Sequence, residues 1–327
     1  MMRFGLVILS AWLWALPALT STLAAASYVE TPTLEADVAA GKLPPVAERL
    51  PRNPRVIDLP AMKREPGRHG GSIRMLMGDQ NDIRLMTLFS YSRFVGYDQS
   101  LELKPDILES YEVEEGRIFT LKLREGHRWS DGHPFTSEDI RYTWEDVMSN
   151  AELSPVGPDP EMLVEGEAPK FEVIDELTVR FTWSKPNPVF LPSLAAPRPI
   201  FLAMPAHYLK SFHPKHQDAE TLGKLIAEAN VSDWTRLHMR MARQYRPENP
   251  ALPTLDPWRN STEPPSDQFV FVRNPFFHRG DFHAHAARAV ERNHNIEPMF
   301  AGVLDHAIER LIEQSALAVE VAAPQSF

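Results

Sequence analysis

The sequence predicts an α/β fold in which antiparallel hairpins are interspersed with helices, rather than a strict β-α-β order. Residues 110–114 and 117–123 alternate between apolar and polar positions around a Glu115-Gly116 turn, and the stretch FEVIDELTVRFTWSK repeats this pattern around an Asp-Glu turn. Residues 219–230 instead show the apolar spacing of a helix. The chain has 327 residues, of which 43% are hydrophobic, and this is enough for about two domains with a buried core.

The first 26 residues predict a secretory signal peptide. Arg3 is followed by an apolar run and then by small residues that end at Ala26, where we expect cleavage. The alternative is a membrane anchor, which is disfavoured because the apolar run is shorter than a span of roughly 20 residues. The mature protein is therefore expected to be exported from the cytoplasm.

Composition excludes several classes of function. The sequence contains no cysteine, so thiol catalysis, zinc–thiolate sites, cysteine-ligated iron–sulfur clusters and a lipoprotein anchor are not expected. The formal net charge is −10 and no block of lysine and arginine is present, so nucleic acid and an anionic membrane surface are not expected partners. No cofactor is predicted.

The chain before the first hairpin divides into two parts. Residues 27–69 are polar and rich in proline, which predicts an extended N-terminal arm. Residues 70–77 predict a strand, after which polar residues are expected to cap a helix, because Asp and Asn side chains accept hydrogen bonds from free backbone N–H groups. This polar cluster consists of Asp79, Gln80, Asn81 and Asp82.

The stretch LREGHRWSDGHPFTSEDIRYTWEDV, from Leu123 to Val147, combines a strand end, a turn and a helix start. Its Ser-Asp-Gly sequence is typical of a turn, and Pro134 stiffens the exit. Thr136 and Asp139 stand three residues apart, the spacing of a capping box, with Asp in place of the usual Glu or Gln. We therefore assign structural roles to Trp129, Asp131, Gly132, Pro134, Phe135, Thr136 and Asp139.

Chemical interpretations of the same stretch are weaker. His127, Asp131 and His133 do not have the spacing of a known metal site, so no metal is predicted. A His–Asp pair for acid–base catalysis lacks a nucleophile motif, because neither G-x-S-x-G nor H-E-x-x-H occurs in the sequence. Five histidines stand near the end of the chain, and a metal site is the alternative to an incidental role for them: His278, His283, His285, His294 and His306.

The stretch from Leu123 to Val147 resembles the signature segment of the bacterial extracellular solute-binding proteins of family 5. One further segment on the N-terminal side and three on the C-terminal side also resemble that family and occur in its order: LKPDILESYEVEEGRIFTLKL, then IDELTVRFTWSKPNPVFLPSLA, PAHYLKSFH and FVFVRNPFFHR. The resemblance extends over residues 70–279. These proteins are the oligopeptide- and dipeptide-binding components of ABC importers.

This resemblance implies a periplasmic binding protein of type II without catalytic activity. Residues 70–279 would form lobe one, built of two subdomains, and a peptide ligand would lie in the cleft between two lobes. Asp79, Gln80, Asn81 and Asp82 would lie near that cleft, although their capping role is an equally good interpretation. The partners implied are the peptide and the permease subunits of the inner membrane.

The end of the sequence departs from the family. Residues 280–327 are rich in Ala and His, and apolar residues between Val303 and Ile312 predict an amphipathic helix. Because this tail does not resemble lobe two, we expect that lobe to be largely missing. Our hypothesis is a truncated chain whose tail after Arg279 is read from a shifted frame and which binds peptide weakly or not at all. The alternatives are a secreted hydrolase and a metal-binding or chaperone-like periplasmic protein.

Overall fold

The fold is mixed α/β, as the sequence predicts. A computed structural model describes residues 28–65, 70–90, 92–281, 288–289 and 317–322. The predicted signal peptide and the predicted helix between Val303 and Ile312 lie outside these residues. Within the described ranges, no helix has both the length and the apolar character needed to cross a bilayer.

The regular elements are short, and most connections between them are loops. The strands are β1 Arg55–Ile57, β2 Ser72–Met77, β3 Val95–Tyr97, β4 Leu103–Pro105, β5 Leu108–Glu114, β6 Ile118–Leu123, β7 Lys170–Asp175, β8 Thr178–Thr182, β9 Trp258–Asn260, β10 Gln268–Arg273, β11 Arg279–Asp281, β12 Arg288–Ala289 and β13 Leu317–Ala322. The α-helices are α1 Glu35–Ala39, α2 Val46–Arg49, α3 Ser137–Arg141, α4 Phe190–Ala195, α5 Ala206–Leu209, α6 Ala219–Glu228 and α7 Trp234–Met241. The 3-10 helices are Gln80–Phe89, Pro160–Met162 and Lys210–Phe212, and Tyr142–Met148 is a π-helix.

Both predicted hairpins are present, and they join into one antiparallel sheet with the strand order β5-β6-β8-β7. Phe119 on β6 lies opposite Phe181 on β8, and both are buried in the largest apolar core of the described residues. Helix α4 covers this face, with the ring of Phe190 5.0 Å from that of Phe119. Each such buried aromatic side chain stabilises the fold by roughly 1.5–3 kcal/mol.

A second sheet joins distant parts of the chain in the order β2-β13-β10-β9. Strand β13 pairs antiparallel with β2 and parallel with β10. Its own core includes Met77, Ile83 and Phe271 and is separate from that of the hairpin sheet. Residues 317–322, which lie in the tail over residues 280–327, therefore form a strand.

Two expectations about local structure need correction. The arm predicted to be extended contains the short helices α1 and α2. At the end of α2, the buried side chain of Arg49 donates to the carbonyl oxygens of Pro44 and Pro275 and pairs with Glu30. These contacts fold the arm back onto the body of the protein. The helix predicted after Thr136 is α-helical only as far as Arg141 and continues as a π-helix.

Helices α5, α6 and α7 pack together around a third apolar core. The predicted helix over 219–230 is confirmed as α6, whose Leu222 is buried in that core. The hydroxyl of Tyr142 in the π-helix and Nε2 of His238 in α7 share a hydrogen bond of 2.7 Å. This bond connects the helical layer to the end of the signature stretch.

Candidate functional site

The turn of the signature stretch has a geometry that explains its residues. The N–H of Trp129 donates to the carbonyl of His133, and the N–H of Gly132 donates to the carbonyl of Trp129, both at 2.8 Å. Gly132 has a φ of +90°, a conformation that favours glycine. A Cβ at Gly132 would lie 3.0 Å from Cζ of Phe276, so the turn also needs glycine in order to approach that ring.

The predicted capping box forms at the start of α3. The N–H of Glu138 donates to Oγ1 of Thr136 at 3.3 Å, and the N–H of Thr136 donates to Oδ2 of Asp139 at 3.0 Å. The other carboxylate oxygen of Asp139 accepts the N–H of Ala206 at 2.9 Å, which anchors α5. Burial raises the pKa of Asp139. Thr136 and Asp139 therefore support both a helix start and a long-range contact.

Phe135 and Pro134 complete the turn as structural residues. The side chain of Phe135 is buried, with its ring edge-on to that of Trp129 at 5.5 Å. Pro134 follows His133, whose carbonyl closes the turn, and forms a short antiparallel bridge with Arg128. The arrangement agrees with a scaffold role for the turn.

Of the three residues considered as a metal site, the structure places His127 apart from Asp131 and His133, which both contact His207. His127 is buried with its ring 4.9 Å from that of His278. Asp131 instead bonds Nε2 of His207 at 2.8 Å, and the ring of His133 stacks on that of His207 at 3.8 Å. Within the described residues, no group of three or more His, Asp or Glu side chains is arranged to hold a metal ion.

The Asp131–His207 pair was not foreseen from the sequence. Burial acts to raise the pKa of Asp131, but the hydrogen bonds from His207 and from the backbone of His133 lower it overall. The neighbouring hydroxyl of Ser130 accepts the N–H of Thr254 at 3.1 Å. That hydroxyl therefore takes part in a long-range structural bond.

A buried carboxylate, Asp106, joins several segments of the chain. Its side chain accepts hydrogen bonds from Nε2 of His278 at 2.8 Å and from Nε of Arg279 at 2.9 Å, and it pairs with Arg55 at 2.9 Å. Its carbonyl accepts Nε of Arg124 at 2.9 Å. We refer to Asp106, Arg55, His278 and Arg279 as the Asp106 node.

The electrostatics of the Asp106 node follow from its burial. Burial acts to raise the pKa of Asp106, but Arg279, His278 and Arg55 hold it well below its ordinary range. Burial lowers the pKa of His278 to about 4, against the opposing effect of Asp106. Since the guanidinium groups already balance the carboxylate, His278 is neutral at pH 7. The buried ring of His127 is also neutral, because burial lowers its pKa well below the ordinary value.

The polar cluster after β2 forms a second capping box. The carboxylate of Asp79 accepts the N–H of Asn81 at 2.8 Å, and that of Asp82 accepts the N–H of Asp79 at 3.2 Å. Gln80 is the first residue of the 3-10 helix. Oδ1 of Asn81 is 3.5 Å from Nη1 of Arg246, so the cluster lies beside residues 244–260. A position near the ligand cleft remains a prediction for these four residues.

Two small cavities share Gln244 and are lined in part by residues 244–260. We call the two cavities together the 244–260 groove. The first has a volume of about 50 Å³ and is lined by Ser92, Trp129, Phe201 and Asp256, among other residues. The second has a volume of about 20 Å³ and is lined by Tyr245, Arg246 and Trp258, among others. Both exceed the roughly 10–15 Å³ that one water molecule requires.

Asp256 is a buried acidic group of this groove. Its Oδ2 accepts the hydroxyl of Tyr245 at 2.6 Å. Burial raises the pKa of Asp256 to about 6, while the hydrogen bond from Tyr245 opposes this. Sequence reasoning missed the groove, because RPENPALPTLDPW predicted only an extended segment.

Comparison with known proteins agrees with this architecture. The family described as "Bacterial extracellular solute-binding proteins, family 5 Middle" matches residues 102–291. The chain is 29% identical over 272 residues to the periplasmic alpha-galactoside-binding protein of Rhizobium meliloti (strain 1021), covering 75% of this chain and 35% of that protein. It is 30% identical over 107 residues to the periplasmic oligopeptide-binding protein OppA of Escherichia coli (strain K12), covering 28% of this chain and 19% of that protein.

Solved structures show the same relation. The structure of an oligopeptide-binding protein OppA matches with a TM-score of 0.72 and 30% identity, covering 92% of this chain and 42% of that one. The periplasmic binding protein MelB from Agrobacterium fabrum C58, in complex with stachyose, matches in fold with a TM-score of 0.56 and 24% identity over 78% of this chain and 41% of that one. The chain thus spans less than half the length of these proteins, and its fold corresponds to part of a periplasmic binding protein. With more than half of its residues matched, the chain belongs to the bacterial extracellular solute-binding proteins of family 5.

Proposed function

We propose that the chain is the periplasmic substrate-binding component of an ABC importer, with an oligopeptide as its ligand and no catalytic activity. The observation that carries this proposal is the match in fold to OppA over 92% of the chain, at a TM-score of 0.72. The expected partners are the permease subunits of the same importer. The signal peptide predicted over residues 1–26 would deliver the protein to the periplasm.

The described sheet offers a place for an extended peptide. Strand β2 stands at one end of the order β2-β13-β10-β9, so within the described residues no other strand pairs with its outer edge. Such an edge presents backbone N–H and C=O groups, to which a peptide can add as a further strand. Strand β2 leads into Asp79, Gln80, Asn81 and Asp82, which we propose lie beside the bound ligand.

An α-galactoside is a second candidate ligand. It is favoured by the alpha-galactoside-binding protein of Rhizobium meliloti, which matches 75% of this chain, whereas the E. coli OppA sequence matches 28%. The 244–260 groove supplies amide, guanidinium and indole groups through Gln244, Arg246 and Trp258. Such groups can donate hydrogen bonds to hydroxyls and can cover an apolar sugar face.

Calorimetry and thermal unfolding of the purified chain with trialanine and with raffinose distinguish the two ligands. A ligand that binds only the folded state stabilises it by about 2.7 kcal/mol at 100 times its Kd. Because a truncated chain is expected to bind weakly, trialanine should raise the melting temperature only slightly and at high concentration, whereas raffinose should leave it unchanged. The reverse result would assign the chain to the sugar-binding candidate, and no shift with either compound would contradict both ligand assignments.

A second measurement tests the cellular role. Fractionation of cells that express the chain with and without residues 1–26 is expected to place only the longer form in the periplasmic fraction. Recovery of the longer form in the cytoplasm would contradict the proposed location.

A further inference from the structure

Tyr245 has an unusual backbone conformation. Its φ of +50° lies in the left-handed region, which is uncommon for any residue with a bulky side chain. The other non-glycine residues with positive φ in the described part of the chain are exposed: Lys63, Leu101, Glu115, Glu165 and Asn230. Tyr245 alone among these described residues is buried, so surrounding contacts must hold its backbone in this conformation.

The contacts that hold Tyr245 can be traced. Its ring is part of the apolar core that also contains Met77 and Phe271, and its hydroxyl donates to Asp256 at 2.6 Å. This bond joins Tyr245 to the stretch around Asp256, which lies eleven residues further along the chain. The two chain neighbours of Tyr245, Gln244 and Arg246, line the groove cavities.

Asp256 is itself fixed by the signature turn. Its N–H donates to Oγ1 of Thr254 at 3.0 Å, and its carbonyl accepts the side-chain amide of Asn274 at 2.9 Å. The N–H of Ser130 donates to the carbonyl of Thr254 at 3.0 Å. The hydroxyl of Ser130 accepts the N–H of Thr254 at 3.1 Å. A continuous series of hydrogen bonds therefore leads from Ser130 in the signature turn to Tyr245.

The neighbours of Tyr245 are the residues that line the 244–260 groove. Gln244 lines both cavities, and Arg246 lines the second and approaches Asn81 at 3.5 Å. From this geometry we infer that Tyr245 and Asp256 are a positioning pair, which holds Gln244 and Arg246 against the Asn81 loop so that both contact the bound ligand. This inference rests on the proposed binding function, and it adds to it the residues that set the shape of the binding wall.

A cysteine cross-link measures this positioning without a ligand. The sequence has no cysteine, so the Asn81→Cys/Arg246→Cys pair is the sole pair of thiols in the variant. We compare its rate of cross-linking by a bismaleimide reagent, whose span replaces the length of the arginine side chain, in the Tyr245→Phe background with that in the Tyr111→Phe background. Tyr111 is a matched control, since its hydroxyl also donates one hydrogen bond, to the carbonyl of Leu103 at 3.1 Å, away from the groove.

Loss of the Tyr245 hydroxyl is expected to slow cross-linking about fivefold to tenfold, the effect of one hydrogen bond of ordinary strength. Tyr111→Phe is expected to leave the rate unchanged. Ser130→Ala is expected to act in the same direction as Tyr245→Phe with a smaller effect, and it serves as the second variant if Tyr245→Phe fails to fold. An unchanged rate in both Tyr245→Phe and Ser130→Ala overturns the inference.

The same substitutions without the added cysteines are then titrated with trialanine and raffinose. For whichever probe the unaltered chain binds, Tyr245→Phe is expected to raise the Kd by about fivefold to tenfold, with a melting temperature that stays close to that of Tyr111→Phe. Slower cross-linking with an unchanged Kd overturns the role in ligand binding. If neither probe binds, the proposed ligands are wrong, and the cross-linking rate alone decides whether the pair positions the wall.

Discussion

The signature stretch, residues 123–147, and the groove segment, residues 244–260, differ in what determines their structure. The signature is built from local contacts, such as the Trp129–Gly132 turn and the Thr136 capping box. The groove segment has little regular structure beyond β9 at its end, and it depends on Ser130, Asn81 and Asn274 from elsewhere in the chain. The region with the most conspicuous sequence thus serves mainly as the support and contributes Trp129 to one cavity, whereas the less conspicuous region lines both cavities.

The largest effect is expected from removing a support that both regions share. Asp106→Asn should lower the free energy of unfolding by about 3–5 kcal/mol, because it leaves buried guanidinium groups without their carboxylate. The carboxylate of Asp106 holds Arg279, which follows the strand after the groove segment, and His278, whose ring lies 4.9 Å from that of His127 in the signature.

Urea unfolding at pH 7 measures this change. Glu165→Gln is the control, since it removes an exposed ion pair with Lys185 and should cause no measurable loss of stability. If Asp106→Asn lost no more stability than this control, the Asp106 node would not be the shared support.

Acid should lower the free energy of unfolding, because His278, which contacts His127 of the signature, is buried and neutral. His278 has a pKa of about 4 in the folded protein, below the value of about 6.5 for an unfolded chain. The unfolded state therefore takes up the proton first as the pH falls. The contribution of His278 to the free energy of unfolding is fully present above pH 6.5. It decreases by roughly 2–4 kcal/mol as the pH falls from 6.5 to 4. His127 adds to this decrease in the same direction, since burial also lowers its pKa.

His127→Leu tests the source of this pH dependence. Neither ring nitrogen of His127 has a hydrogen-bond partner in the described part of the chain, so an apolar side chain removes a desolvation cost without breaking a bond. Chemical unfolding at pH 7 and pH 5 should show a smaller loss of stability on acidification than in the unaltered protein. An equal or greater loss in His127→Leu would exclude this histidine as a source.

Gly132→Ala tests how closely the signature turn packs on the segment that follows the groove. We expect a loss of about 2–3 kcal/mol, from the positive φ and from the 3.0 Å approach to Phe276. Gly157→Ala provides the matched control, because Gly157 has a φ of +83° but no atom within 4 Å of an added Cβ. That variant should lose only about 1 kcal/mol. Equal losses in the two variants would show that contact with Phe276 contributes nothing.

The same contrast explains which parts of the structure could be predicted. Both hairpins were predictable, because alternation is a local signal that any half-buried strand must carry. The capping box was predictable for the same reason, since Thr136 and Asp139 are three residues apart. Thr254, in contrast, bonds Ser130 across 124 residues, and nothing near either residue specifies its partner.

The candidate site was less predictable than the fold. The sequence predicts a position near the ligand for four residues because they follow the strand over residues 70–77: Asp79, Gln80, Asn81 and Asp82. The structure shows their capping geometry, whereas contact with a ligand remains a prediction. The left-handed conformation of Tyr245 had no sequence signal, because tyrosine, unlike glycine or asparagine, is not typical of that conformation. It results from contacts that exist only once the chain has folded.

The smallest expected effect compares the two capping boxes. Thr136→Ala should lower the free energy of unfolding by about 1 kcal/mol, as is typical of a lost helix cap. Asp79→Ala removes the same kind of bond, but the 3-10 helix that Asp79 caps has only Ile83 and Met86 buried and can open without unfolding the rest of the protein. Its effect on global urea unfolding should be smaller than that of Thr136→Ala, while hydrogen exchange of residues 80–89 should become faster. If Asp79→Ala destabilised the whole protein as much as Thr136→Ala, the polar cluster beside the groove would be as structural as the signature, and the distinction between support and site would fail there.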